Sequence, residues 1–503
     1  MRASAASNSQ PRETGLNWLT WRRAFTALAL YFLLQGVLRV LISRSAELDE
    51  SEQLLWTQSW AWGYGSDPPL YTWLQILTFH LCGTSILGLA LLKNVLLFGG
   101  FYFTYLAGKE AGQSKALGVV SMLALLLFPQ VTWESQRDLT HSVLATGLAA
   151  ATFFNVTQIQ RAPRAALFAW LGLVAGLGIL SKYSYGLFAL ALGGAFLSLP
   201  EFRRLLRTKW VLLAAAVFLL VTGWHFHWVL TKPAAAFSRP DEIIRASRGW
   251  RLAGWGRGFL SLGKCAVMLG GCAVTAFVLI FPRTDRHERS EERSRYVRLA
   301  GRTLGVVLII SVLVVLSFAI ELKDRWFQPV VFVGAILASL LVRNRVNPVS
   351  ARRFFVLAAA VVGVVLVVLP GIPLAAAVTK RPTRLNAPYS ALCRELRDKV
   401  GEPPVIVAES RLVGGNLRLW FPNSIIIAPE YSILPVSTNL PWLAAWDASK
   451  REEPLPGLPS LIGQLRGINL SNLAPAYVEA PFRYTSARRM RLGYVLVPKG
   501  PLP

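Results

Sequence analysis

The residues able to do chemistry are gathered in a few short polar stretches of an otherwise apolar chain. The densest runs from Glu47 to Tyr71 and reads ELDESEQLLWTQSWAWGYGSDPPLY. Asp49 and Glu50 stand together at its start, ahead of Leu54, Leu55, Trp56, Trp60 and Trp62, a pattern that suits a helix lying in a membrane interface. An Asp there can take a proton from a hydroxyl, because a carboxyl with a reference value of about 3.9 is ionised near neutral pH. Pro68 and Pro69 then make a rigid turn into a second amphipathic helix, expected over residues 70–81. The competing job for these acids is to cap helix N-termini. That job suits Glu47 and Glu52 better than Asp49 and Glu50.

Three further stretches add to the inventory: Trp133, Glu134, Arg137, Asp138 and His141; then Ser181-Lys182-Tyr183; then Glu321-Leu322-Lys323-Asp324-Arg325-Trp326. Charges this close to hydrocarbon are costly unless paired or functional. Snorkelling, or ion pairing with Asp324 or Asp138, would account for Lys182, Lys323 and Arg325 singly. Taken together, two or three cations beside a carboxylate suit a phosphate at headgroup depth. Arg137, Lys182, Tyr183, Lys323 and Arg325 are the expected phosphate-binding set. Gln53, Asp67, Pro68, Tyr71, Asp138 and His141 are the expected wall of the pocket.

Those stretches must be positioned by membrane helices. Of 503 residues, 53% are hydrophobic and 16% charged, against roughly 25% charged in a soluble domain. About eleven runs approach the ~20 apolar residues a bilayer core demands: 24–42, 84–107, 115–131, 139–158, 165–180, 184–200, 210–230, 257–281, 300–320, 326–342 and 354–377. The net charge of +26 is not the footprint of nucleic-acid binding, since Lys and Arg recur in alternate loops: Arg22–Arg23, Lys109–Lys115, Arg161–Arg164, Arg203–Lys209, Arg283–Arg302 and Arg343–Arg353. By the positive-inside pattern the N-terminus lies in the cytoplasm, and loops 43–83, 132–138, 181–183, 231–256 and 321–325 lie outside. No apolar core of a cleaved signal precedes Trp21, so the first span is expected to serve as the anchor.

Beyond residue 380 the composition changes. VIVAE (405–409), SIIIAPE (424–430) and YVLVP (494–498) read as buried strands, with helices near 387–400 and 458–466, giving an expected outside α/β domain over 380–503. Cys82, Cys265, Cys272 and Cys393 lack metal-ligand spacing; a bridge between Cys82 and Cys393 is open. No phosphate-binding glycine loop for a nucleotide is present.

Four motifs in order, LDESEQ with GYGSDPPLYTWL, RDLTHSVL, LSKYSY and KDRWFQP, resemble the polyprenyl-phosphate-dependent, C-type membrane glycosyltransferases. These include the bacterial aminoarabinose and galacturonic acid transferases acting on lipid A or its core and, more distantly, the protein mannosyltransferases. The resemblance covers about 20–345. It implies a polytopic α-helical C-type fold of about eleven transmembrane helices over 1–379, with interfacial helices in the first outside loop. It also implies a periplasmic active site in a bacterial inner membrane, with Asp49 as catalytic base and Glu50 its neighbour. The donor would be a polyprenyl-phosphate sugar and the acceptor a lipid, glycan or protein hydroxyl. No cofactor is required, although a divalent metal is compatible. Relatives often carry Lys or His where Asp67 stands. The competing readings are a flippase for an anionic glycolipid, which Lys93 within a span would suit, and a non-catalytic envelope-assembly protein. The loop from Lys232 to Arg257 is expected to close over substrate.

Overall fold

The computed structural model describes residues 21–238, 251–282, 291–429, 431 and 439–498. The chain runs through α1 (Trp21–Ile42), the two loop helices α2 (Leu48–Trp56) and α3 (Leu70–Cys82), and α4 (Ile86–Gly112). A bent pair follows, α5 (Lys115–Leu127) and α6 (Gln130–Arg137), with α7 (His141–Arg161) and α8 (Ala165–Ser181). A second bent pair, α9 (Tyr185–Ser198) and α10 (Pro200–Arg207), leads to α11 (Trp210–Thr231), α12 (Arg251–Ile280), α13 (Glu291–Phe318), α14 (Gln328–Leu341) and α15 (Pro348–Leu374).

Each expected apolar run is helical because a backbone in hydrocarbon must satisfy its own N–H and C=O groups. The count of eleven is not reached as straight spans. Among the described residues seven helices are long and apolar enough to cross a membrane, and nine if each bent pair counts as one. The other two, α8 and α14, are shorter. The centre of the expected lid, residues 239–250, and the expected N-terminal tail lie outside the described residues.

The bend of 74° between α5 and α6 aims the chemistry. Residues 130–134 widen into a π turn, a device frequent at functional sites. Side chains hold it open: Thr132 Oγ1 donates to the Leu126 carbonyl at 2.7 Å, and Ser135 Oγ to that of Gln130 at 2.7 Å. The KDRWFQP segment braces the same bend from outside it, with Gln328 Nε2 donating to Ser135 Oγ at 2.8 Å and the Gln130 amide to Asp324. The chain is thereby turned so that Asp138 meets the start of α2.

The C-terminal region adds α16 (Tyr389–Val400), β1 (Val405–Ala408), α17 (Arg411–Arg418), β2 (Ile425–Ile427), β3 (Trp442–Asp447), α18 (Gly457–Arg466), β4 (Ala476–Pro481) and β5 (Arg489–Val497). The sheet order is β2-β1-β3-β5-β4, parallel through β2, β1 and β3 and antiparallel at β3–β5 and β5–β4. Side chains alternate between its faces. Val405, Val407 and Trp442 pack under Leu458 and Ile462 of α18. Ile406, Ala408 and Leu443 face α16 and α17, and in the same cluster lie Leu55, Trp56 and Tyr64 of the first loop. Leu54, Leu55 and Trp56 are all buried, which corrects the expectation that they rest in the lipid interface; Trp60 and Trp62 do remain exposed. All four cysteines are free thiols, so Cys82 and Cys393 are not bridged.

Candidate active site

The site is built on α2, whose start is fixed by its own acids. Glu50 Oε2 accepts the Glu47 backbone N–H at 3.0 Å, the returning arm of an N-terminal cap. The rest of the Glu50 carboxylate is taken by cations: Arg39 at 2.5 Å from the last turn of α1, and Lys93 Nζ at 3.4 Å from the second turn of α4. Burial opposes the ionised form, yet Arg39 and Lys93 outweigh it and hold the Glu50 carboxyl at about 2. A carboxylate so held does not exchange a proton near neutral pH. Glu50 therefore ties α1, α2 and α4 together, a different task from that of Asp49. Lys93, the span charge that suited a flippase, has this structural partner.

Asp49 lies one residue earlier, in the first turn. Its backbone N–H donates to Asp138 Oδ1 at 2.9 Å, so the second polar stretch is bonded to the first. Burial, and next the charge of Asp138, push the Asp49 carboxyl above the ordinary range; Lys182, Arg325 and Arg411 pull the other way. Burial likewise raises Asp138. Four chain segments far apart in sequence thus bring charge to one carboxylate: Asp138 after α6, Lys182 after α8, Arg325 before α14, and Arg411 at the head of α17. The Lys182 ammonium also bonds Ser142 Oγ in the first turn of α7.

The remaining expected residues divide. Gln53 Nε2 and His141 Nε2 are 2.8 Å apart, His141 Nδ1 is 3.2 Å from the Ser181 carbonyl, and Thr72 Oγ1 donates to Gln53 Oε1 at 3.1 Å. Gln53 and His141 are thus spent on joining α2, α3, α7 and the end of α8; they are wall, not free substrate ligands. Tyr71 is fully buried against His141, with ring centroids 5.0 Å apart, and its hydroxyl has no hydrogen-bond partner among the described residues. Burial, then the negative charges of Glu50 and Asp49, keep this phenol protonated. Asp67 is buried and exchanges two backbone hydrogen bonds of 3.0 Å with Tyr64, closing the turn that Pro68 continues.

Tyr183 is engaged in an aromatic stack, its hydroxyl 3.2 Å from His225 Nε2 and its ring 5.8 Å from the imidazole. Arg137 pairs with Glu134 at 2.8 Å and is half exposed. It lines a separate cavity of about 340 Å³ between α1, α4, α6 and α15. Arg39, Lys93 and Arg384 face that cavity with Glu47, Glu50 and Asp138, and Leu38, Ile42, Leu369 and Ile372 are among its apolar lining. Lys323 precedes the turn of residues 324–326, in which the Asp324 carboxylate caps the Arg325 N–H at 2.8 Å.

Sequence reasoning missed Arg39 and Arg411 altogether. A charge in the last turn of α1 was the available signal for the first; none marked the second.

Compared with known proteins, residues 66–228 match the family described as dolichyl-phosphate-mannose-protein mannosyltransferase. The chain is 32% identical to the lipopolysaccharide core galacturonosyltransferase RgtB of Rhizobium johnstonii, over 94% of this chain and 97% of that protein. It is 30% identical to RgtA of the same organism, over 82% of this chain and 83% of the relative. The crystal structure of ArnT from Cupriavidus metallidurans bound to undecaprenyl phosphate superposes with a TM-score of 0.60 at 14% identity, covering 94% of this chain and 98% of the other, and apo ArnT with 0.58.

Proposed function

Starting from the chain's place among the polyprenyl-phosphate-dependent membrane glycosyltransferases, the family to which it belongs and which makes it a multi-span transferase, we propose that it moves a uronic acid from a polyprenyl phosphate to a hydroxyl of lipopolysaccharide core, with Asp49 as base. One observation carries this reading: the half-buried Asp49 carboxylate lies where the charges of Asp138, Lys182 and Arg325 converge from separate segments.

The proposed step is an inverting displacement. Asp49 removes the proton of the acceptor hydroxyl as that oxygen attacks the anomeric carbon, and the bond from this carbon to the phosphate oxygen breaks from the opposite face. The electron pair leaves on the polyprenyl phosphate, whose growing charge Lys182 and Arg325 offset electrostatically. The raised affinity of Asp49 for a proton strengthens it as a base wherever it is still ionised. A uronic acid carries a carboxylate, for which Lys182 and Arg325 are candidate partners beside Asp49. The cavity that Asp138 lines, more apolar than polar, suits an amphiphilic acceptor, which would reach Asp49 past Asp138. With the N-terminus cytoplasmic, as the alternating basic loops argue, the reaction runs on the periplasmic face, where nucleotide sugars are absent and the donor must ride on a lipid.

The test is sugar release from radiolabelled undecaprenyl-phosphate sugars, galacturonic acid among them, by protein in liposomes containing core lipopolysaccharide. Asp49→Asn, folded and equally incorporated, is expected to abolish turnover. Turnover by that variant would remove Asp49 from the mechanism.

A further inference from the structure

The helix that carries Asp49 is gripped from both ends by the C-terminal domain. Ahead of Asp49, Asn416 Oδ1 accepts the Ala46 N–H at 2.8 Å, and Asn416 Nδ2 reaches the Ala46 carbonyl at 3.2 Å and Ser51 Oγ at 3.3 Å. Beyond it, Glu52 is 2% exposed and turns towards that domain. Its Oε1 accepts from Arg411 Nη1 at 3.1 Å and from the Tyr431 hydroxyl at 2.6 Å, while Arg411 Nη1 also stands 3.1 Å from the Tyr431 oxygen. Arg411 thus closes a buried three-membered contact between the C-terminal domain and α2.

Glu52 follows Asp49 by three residues, so the two side chains stand on neighbouring positions of one helical face. Any rotation of α2 that changes the surroundings of one changes those of the other. A carboxylate buried to this degree tolerates the loss of its cation poorly, and the helix would turn or fray to hydrate it. Both contacts are made by one nitrogen, Nη1, at the end of a side chain one bond longer than that of Lys, so an ammonium in its place would fall short of Glu52 and Tyr431. We propose that Arg411 is a positioning residue for the transfer reaction, supplied by the C-terminal domain, which sets the rotation of α2 through Glu52 and hence the direction in which Asp49 presents its carboxylate. This rests on Asp49 being the base.

The charge of Arg411 also reaches Asp49, in company with Lys182 and Arg325 and against Asp138; Tyr71 and, on α2 itself, Glu47, Glu50 and Glu52 are further titratable neighbours. Removing the guanidinium therefore has a second effect beside misalignment. Asp49 holds its proton to higher pH, and the acid limb of the pH–rate profile moves up.

The experiment compares Arg411→Gln and Arg411→Lys with wild type in the liposome assay, using undecaprenyl-phosphate galacturonic acid and reading kcat, donor KM and the acid limb. R411Q is expected to lose about 10-fold or more in kcat with donor KM changed less than about two-fold, and to shift the acid limb upward. R411K is expected to lose kcat while its acid limb stays near that of wild type, since the charge remains and the reach to Glu52 and Tyr431 does not. Wild-type kcat and pH profile in folded R411Q and R411K overturn the inference. If R411Q cannot be obtained folded, R411K and Tyr431→Phe carry the test, and wild-type kcat in both overturns it. D49N run alongside keeps the two ideas apart. A dead D49N with unaffected Arg411 variants sinks the positioning role alone, whereas an active D49N removes the base and the inference with it.

Discussion

Replacing Gly415 by Ala tests the docking of the C-terminal domain without touching any charge or hydrogen bond. Gly415 lies in α17 where that helix crosses α2, and a Cβ built there would stand 2.3 Å from the Ser51 carbonyl oxygen and 2.4 Å from Ser51 Cα. Nonbonded atoms settle at about 3.5–4.0 Å, so the two helices must part by roughly 1 Å or more. The obstacle is backbone, which cannot swing aside like a side chain. Ser51 is two residues from Asp49, and the displacement is passed directly to the proposed base. A 1 Å misplacement at a catalytic group can cost about 100-fold in rate, while overpacking of this kind costs about 1–3 kcal/mol in stability. G415A should therefore fold, melt a few degrees lower in detergent, and lose between about 10- and 100-fold in sugar release. Gly363→Ala in α15, where an added Cβ meets nothing within 4 Å, is the matched control and should turn over as wild type. Wild-type turnover by folded G415A would refute the claim that the placement of α2 against α17 governs the base.

Three other outcomes are expected. Asp138→Asn keeps an acceptor for the Asp49 N–H but removes the like charge that raises the Asp49 carboxyl, so the acid limb of kcat/KM should move to lower pH; an upward or absent shift contradicts the coupling. Lys93→Met leaves Glu50 buried with Arg39 alone, and breaking a buried pair on one side costs on the order of 3 kcal/mol, readable as a drop in melting temperature that Glu50→Gln in the same chain should partly reverse. Tyr71→Phe removes a hydroxyl with no partner among the described residues, so stability should hold or rise, while kcat falls about 10-fold if that hydroxyl donates to substrate; unchanged kcat would make Tyr71 a packing residue.

The acid loop, the three other polar stretches and their meeting at Asp49 were legible because charges beside hydrocarbon demand a reason. Less visible was which acid is spent on structure. Glu50 and Asp49 are adjacent and alike in sequence, and only the approach of Arg39 and Lys93 separates them. The aromatic run LLW suggested lipid, although Leu55 and Trp56 complete the core of the C-terminal domain, because an apolar helix face reads the same against a bilayer and against a sheet. Strand WLAAWD has no β-branched residue, and its Ala pair and Asp dilute the strand signal of its two Trp. Helix RLVGGNLR was hidden by its Gly-Gly pair, which reads as a turn yet is what allows α17 to touch Ser51.

The Arg411–Glu52 contact joins residues 359 positions apart, and this has a consequence for biosynthesis. At about 5–20 residues per second, helix α2 leaves the ribosome roughly 20–70 s before the segment that fixes it. Through that interval the first loop is an acidic segment at the membrane surface with Glu52 uncompensated and Asp49 unaligned. With Arg411 aligning Asp49 as proposed, competence for transfer arrives only after the C-terminal domain has been made. A nascent chain stalled between Arg325 and Arg411 would hold both residues assigned to the phosphate and still lack the contact proposed to align Asp49.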